Sequence, residues 1–260
     1  MSTEQSTGTL AGKVVVVTGA TSGSGRAIAA RFAAEGSTVI MLALGAERLK
    51  ELEAALDGDV VGIPTDVGDP GSVAAAFAEI ERRHGKLNVL INNAALYRPC
   101  PVEDLGDDEI LAQTRANFLG PVYTCRAAIP LLRAAGGGDI VNTSSEITLD
   151  PFPHLSIYAS TKAALETFSE VLMSELAEYD IRVTSLVQGT AFGEGGGSTD
   201  WSWDPERAEK ASELWERQGY FARVMGTKGG QPVEAVADIH VFVVTRPRGQ
   251  KLDKIHVRSN

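Results

Sequence analysis

Basic charge is in short supply. The 24 lysines and arginines face 34 aspartates and glutamates, which leaves a formal net charge of -10 at pH 7. Binding a phosphate backbone relies on a basic surface that releases counterions, so nucleic acid is not the expected partner. Cysteine is nearly absent, with only Cys100 and Cys125. That is too few for a disulfide framework, and both are expected to be free thiols of a cytoplasmic protein. The four histidines (His84, His154, His240, His256) and these cysteines show no ligand spacing, so no metal centre is expected. His154, close before Tyr158, reads as a loop histidine near the site. Long hydrophobic runs are missing too. The longest, such as 14–17 and 39–44, fall far short of the roughly 20 residues that cross a bilayer. The opening MSTEQSTGTL has neither a basic start nor an apolar centre, so residues 1–11 are expected to form a loose tail and not a signal peptide.

What is present is ordinary globular composition, 43% hydrophobic and 22% charged, in a chain of 260 residues that can bury one large core. Short apolar runs at 13–18, 37–43, 59–63, 87–91, 139–143, 181–187 and 252–257 alternate with longer helical patterns. The alternation predicts an α/β fold, a doubly wound parallel sheet of seven strands with helices on both faces. The runs show little polar alternation, as expected of strands covered on both sides. Leu165, Phe168, Leu172 and Leu176 recur at three and four residues, which predicts a helix over 156–179. No linker divides the chain, so residues 12–260 are expected to form a single domain. The exception is 189–232, a long connection with all three tryptophans, Trp201, Trp203 and Trp215, and a small helix expected at 205–218. Such a length inside a compact domain suits a lid over a substrate site, and a packed surface excursion is the alternative.

Three features carry chemistry. The first strand runs into Gly19-Ala20-Thr21-Ser22-Gly23-Ser24-Gly25 and then a helical pattern. A pyrophosphate site needs this: a tight turn, close backbone approach, and a helix N-terminus whose N–H groups and dipole favour an anion. Tyr158 and Lys162 stand one helical turn apart on the same face. An ammonium beside a phenol favours the phenolate and makes the tyrosine a usable acid or base. Ser144 and Ser145 end the fifth strand, where the crevice of an open α/β sheet lies.

These elements, in this order, resemble the classical short-chain dehydrogenase/reductase family over nearly the whole chain. The glycine turn resembles its TGxxxGxG motif, Asn92-Asn93-Ala94-Ala95 its NNAG motif, and Asp66-Val67 its adenine-contacting acidic position. The resemblance implies a Rossmann-type sheet and an oxidoreductase. Such an enzyme moves a hydride between NADP or NAD and a small alcohol or ketone substrate, as a homotetramer. It further implies that Ser145 binds the reacting oxygen and Tyr158 transfers the proton. Lys162 would bind the nicotinamide ribose and lower the tyrosine pKa, and Asn117 would hold the water of a proton relay. Cofactor contacts would come from Gly19, Thr21, Ser22, Gly23, Ser24, Gly25, Ala43, Leu44, Asp66, Val67, Asn93, Ala94, Ala95, Tyr158, Lys162, Gln188 and Gly189.

The chain departs from the family pattern in three places. Ala95 stands for a glycine. Gln188-Gly189 stands for Pro-Gly, with Gly193 at the position of a nicotinamide-contacting threonine. At the end of the second strand, Ala43, Leu44 and Gly45 hold neither the carboxylate that selects NAD nor the arginine that selects NADP. Glu47 and Arg48 follow and are read as solvent-facing; with no carboxylate to repel a 2′-phosphate and no guanidinium to grip it, weak discrimination with a slight lean to NADP is expected. The stretches Arg246-Pro247-Arg248-Gly249 and Ile255-His256-Val257-Arg258 resemble the branch that includes NADP-dependent hydroxy-acid dehydrogenases. Two other readings are a dinucleotide-binding sensor of the same fold that does not turn over, and an epimerase or dehydratase. Retention of Ser145, Tyr158, Lys162 and Asn117 favours a working enzyme.

Overall fold

The computed structural model describes residues 9–193, 204–225 and 230–259. Strand β1 (Val14–Thr18) is buried along its whole length because both of its faces meet apolar layers. Val15 and Val17 join Ile28, Phe32, Met41 and Val241 in one core. Val14 and Val16 join Leu42, Phe77, Ile80 and Leu132 in a second core on the opposite side. Such a strand has no solvent face on which to place polar residues.

The remaining elements follow in chain order as α1 (Gly23–Ala34), β2 (Thr38–Ala43), α2 (Ala46–Ala55), β3 (Val60–Pro64), α3 (Pro70–His84) and β4 (Val89–Asn92). Then come α4 (Asp107–Thr114), α5 (Gly120–Ala134), β5 (Gly138–Ser145), α6 (Ser156–Leu176) and β6 (Ile181–Gln188). The chain closes with β7 (Ala191–Phe192), α7 (Pro205–Arg217), α8 (Tyr220–Met225), β8 (Gln231–Pro232), α9 (Val233–Val244) and β9 (Lys254–Val257). Seven strands form one sheet in the order β3-β2-β1-β4-β5-β6-β9, with every pair parallel. This is the expected Rossmann-type, doubly wound single domain. The strand order reverses between β1 and β4, and the crevice beyond their carboxyl ends is where such sheets bind ligands.

The last strand is held in place from below. Arg182 of β6 is buried, pairs with Asp139 at 2.7 Å, and donates to the carbonyls of Val244, Arg246, Pro247 and Gln250. A buried guanidinium needs that many acceptors to offset its desolvation. The result fastens the turn after α9, and β9 can lie beside β6 at the rim of the crevice.

One expectation is corrected and another is extended. The loose tail does not reach residue 11: residues 1–8 lie outside the described residues, but Thr9 bonds the Glu35 carboxylate through its amide and hydroxyl, and Leu10 is buried in the first core. The connection 189–232 holds the helix expected at 205–218, seen as α7, together with further elements. β7 pairs with β8, α8 follows α7, and Ala211 and Trp215 are buried against Ile147 and Leu155. Trp201 and Trp203, with the rest of 194–203 and 226–229, lie outside the described residues.

Candidate active site

The turn from β1 into α1 shows why its glycines stand where they do. Gly19 has φ +66, and a Cβ there would lie 2.8 Å from the Cα of Ala94. A Cβ on Gly25 would meet the Gly19 carbonyl oxygen at 2.1 Å and Asn93 Nδ2 at 2.7 Å. Only backbone fits between this turn and the loop after β4. Thr18 locks the two together, its Oγ1 accepting from the amides of Asn93 and Ala94 at 3.0 Å. No side chain caps α1 at Ser22, so its first-turn N–H groups are left to face an anion.

That turn opens into one cleft of about 1390 Å³. Its wall carries Gly19, Thr21, Ser22, Gly23, Ser24 and Gly25, then Ala43, Leu44, Asp66 and Val67, then Asn93, Ala94 and Ala95, then Ser145, Tyr158, Lys162, Gln188 and Gly189. Each nominated residue except Asn117 therefore lies on one surface. Ala95 is exposed to the cleft, so its methyl group has room. Gly193 is not on the wall; it packs against Val233, and Thr190 takes a place in the cleft instead. Gln188 donates from Nε2 to Ser24 Oγ at 3.2 Å, while its Oε1 is buried without a partner.

Asn117 works from behind. It sits in a one-turn π-helix, Arg115–Leu119, and is fully buried. Its Oδ1 accepts from the Leu96 amide at 2.6 Å, and its Nδ2 donates to the Leu96 carbonyl at 2.8 Å and to Thr161 Oγ1 at 3.3 Å. With its side chain committed to the loop after β4 and to α6, it braces the two segments that carry the cleft wall.

Ser145 ends β5 and accepts from the Ile147 amide as its chain turns into a single helical turn, Glu146–Thr148. Tyr158 and Lys162 project from α6. Burial pushes the Tyr158 hydroxyl above its ordinary pKa, and a side-chain hydrogen bond from Ser145 opposes it. Lys162 Nζ lies 5.8 Å from the tyrosine ring centroid and donates to the Thr143 carbonyl at 2.7 Å. Burial brings the lysine itself down to about 8, with the charge of Glu166 acting the other way.

Beyond the tyrosine the wall is aromatic. Tyr97 meets Tyr158 edge-on at 5.0 Å, and Phe152 meets Trp215 at 6.0 Å and Tyr220 at 4.8 Å. Trp215 Nε1 donates to the Pro153 carbonyl at 2.9 Å, which ties α7 over this end of the cleft. His154 is a loop residue with φ 67, and its Nδ1 is buried without a partner.

Arg48, read from the sequence as solvent-facing, is about half exposed and also reaches the cleft. Gly45 is the N-cap of α2 and Arg48 stands in its first turn, so both Gly45 and Arg48 line the cleft. Glu146 and Thr190 also reach the wall, the first in the stretch 146–156 and the second in the 189–232 connection, the segments from which the sequence predicts the substrate wall.

A family model described as short chain dehydrogenase matches residues 13–192. The chain belongs to that family. Among relatives of this short-chain dehydrogenase, Oxidoreductase BOA17 of Botryotinia fuckeliana is 32% identical over 241 residues, 92% of this chain and 85% of that one. A 3beta-hydroxysteroid dehydrogenase of Mediterraneibacter gnavus is 35% identical over 178 residues, 67% of this chain and 64% of its own length. The L-sorbose reductase of Gluconobacter frateurii, solved with NADPH and L-sorbose, superposes with a TM-score of 0.80 at 27% identity, covering 95% of each chain. A serine dehydrogenase in its closed form with NADP+ gives 0.79 at 25% identity, covering 95% of this chain and 94% of that one. Among the described residues no helix is long and apolar enough to cross a membrane.

Proposed function

We propose that this short-chain dehydrogenase moves a hydride between NADP(H) and the carbonyl or secondary alcohol of a small, moderately apolar substrate. The observation that carries the reading is the shared wall: Ser145, Tyr158 and Lys162 stand on the same cleft as the side-chain-free glycine turn. The residues present fit a dinucleotide. The turn leaves no Cβ in the way, the α1 N-terminus can hold the pyrophosphate, and the orphaned Oε1 of Gln188 can accept from an amide. When bound, the nicotinamide supplies or takes the hydride.

In the reducing direction Tyr158 gives its phenolic proton to the carbonyl oxygen as charge develops there, and Ser145 donates a hydrogen bond to the same oxygen. The buried Lys162 ammonium favours the phenolate left behind and holds the ribose. Asn117 keeps the loop after β4 in register with α6, and by the family resemblance would hold the water of a proton relay. Tyr97, Phe152, Leu155 and Trp215 supply an apolar wall for the substrate body. The segment 189–232 acts as the lid, with α7 as its fixed part.

Arg48 supports NADP over NAD. A 2′-phosphate placed beside β2 would meet this guanidinium and the uncapped N-terminus of α2. The NADP-bound L-sorbose reductase and serine dehydrogenase point the same way. The family resemblance extends the reading to a homotetramer, and the free thiols of Cys100 and Cys125 suit a reducing cytoplasm.

The test is a panel of ketones and secondary alcohols followed by nicotinamide absorbance with both cofactors. Turnover of at least one ketone with NADPH is expected. Tight NADPH binding without turnover of any of them would favour a dinucleotide sensor and overturn the reading.

A further inference from the structure

Glu166 lies one helical turn beyond Lys162 on α6, and its carboxylate joins three parts of the fold. Oε1 accepts from the Ser144 hydroxyl at 2.5 Å and from the Thr148 hydroxyl at 2.7 Å. Oε2 accepts from Lys254 Nζ at 2.5 Å. Ser144 directly precedes Ser145, and Thr148 ends the helical turn that follows it, so the carboxylate grips the Ser145 turn from both sides. The Thr148 hydroxyl also lies 2.9 Å from the Ser145 carbonyl oxygen.

Lys254 opens β9, the strand that pairs with β6 at the sheet edge. Arg258, the residue after this strand, reaches the turn a second time, 4.0 Å from Glu146. Both cations stand beyond residue 192, outside the segment matched by the family model. Burial pushes the Glu166 carboxyl up, but the hydrogen bonds from Lys254, Ser144 and Thr148 together hold it below the ordinary carboxylate range. A charge in so buried a position is costly unless every lone pair is used, and an apolar side chain would pack there at less cost. The cluster is better explained by what it orients.

We propose that Glu166, fastened by Lys254, is a positioning residue that sets the Ser145 hydroxyl against the Tyr158–Lys162 face of α6, so that the C-terminal strand forms part of the catalytic geometry. The inference rests on the reading above that Ser145, Tyr158 and Lys162 perform the reaction.

The test uses the full chain with NADPH and 9,10-phenanthrenequinone as the carbonyl probe. Glu166→Ala and Lys254→Met are each expected to lower kcat by about tenfold to hundredfold, because small misplacements of a reacting group are amplified in rate. KM and NADPH affinity should stay within about threefold of wild type. Lys254→Arg keeps the ion pair and should restore kcat. In a Ser145→Ala background, Glu166→Ala should add little further loss, since a residue acting through Ser145 has nothing left to position. Amide exchange over 145–150 should rise in Glu166→Ala while β1 and β4 stay protected. Should that variant not fold, Glu166→Gln and Lys254→Met carry the same comparison. Additive losses in the double variant, or unchanged kcat in an active enzyme, would overturn the proposal alone. A wild type that binds NADPH but reduces no ketone would sink the reading of the site and this inference with it.

Discussion

Lys162 donates its buried ammonium to the Thr143 carbonyl at 2.7 Å, one strand-end away from Ser145. The contact fixes the lysine to the sheet, and burial lowers its pKa to about 8. The protonated form is the one that favours a phenolate on Tyr158. Carbonyl reduction is therefore expected to hold steady below pH 8 and to fall above it as one proton leaves Lys162. A pH profile of kcat/KM for the free enzyme checks this. A profile flat to pH 10 would remove the Lys162 charge from the mechanism.

Tyr158→Phe removes the transferable proton and little else. Turnover should drop to well below about a tenth of wild type, with NADPH affinity within a few-fold, because the ring still packs edge-on against Tyr97. Lys162→Ala should weaken both turnover and cofactor binding, since one ammonium serves both. Fluorescence titration of NADPH alongside steady-state kinetics separates the two variants.

Much of this was legible in the residues. Strands covered on both faces reveal themselves as unbroken apolar runs, and the seven expected runs match the seven strands to within two residues at each end. The glycine turn, the Tyr158–Lys162 pair and Ser145 were readable because their spacing is local. What was not legible depends on contacts between distant segments. Lys254 meets Glu166 across 88 positions of chain. Leu10 looked like tail because nothing in a polar N-terminus says that it docks on the first core. Arg48 faces the cleft because Gly45 starts α2 at the cleft rim, and helix starts are poorly fixed by pattern.

Arg48 gives a cofactor prediction. Its guanidinium lines the cleft and pairs with Glu51 at 2.6 Å, but is still about half exposed, so it can turn toward a phosphate. Arg48→Ala should weaken NADPH by about tenfold, roughly 1.4 kcal/mol, and leave NADH nearly unchanged. Ala43→Asp places a carboxylate at the end of β2 and should move preference toward NADH. Parallel titrations of both cofactors decide the matter. Equal losses for NADPH and NADH in Arg48→Ala would detach this arginine from the 2′-phosphate.

The last prediction concerns acid stability and a histidine away from the chemistry. His240 of α9 is fully buried, with Nδ1 2.8 Å from the Val236 carbonyl oxygen and Nε2 3.4 Å from Thr143 Oγ1. Burial brings its pKa from 6.5 down to about 4, and the bond to Val236 opposes this only partly. Between those two values the unfolded chain binds a proton that the folded chain refuses. The neutral histidine therefore favours the fold fully above pH 6.5, and that advantage is lost as the pH falls toward 4. By pH 4.5 the loss attributable to this one group should be about 2 to 3 kcal/mol. Glu35 and Glu79, held at about 2, lose their contribution mainly below pH 4.5, outside this window. Burial raises Asp139 and Glu146, which act in the opposite sense, and burial also lowers His256, so wild type alone does not isolate the effect. His240→Gln keeps a polar side chain of similar size that does not titrate. Urea unfolding at pH 7 and pH 4.5 should show the variant losing about 2 kcal/mol less than wild type over that interval. Identical losses in the two proteins would mean that His240 is protonated inside the fold without penalty, and that the apolar packing of α9 on the sheet admits water at low pH.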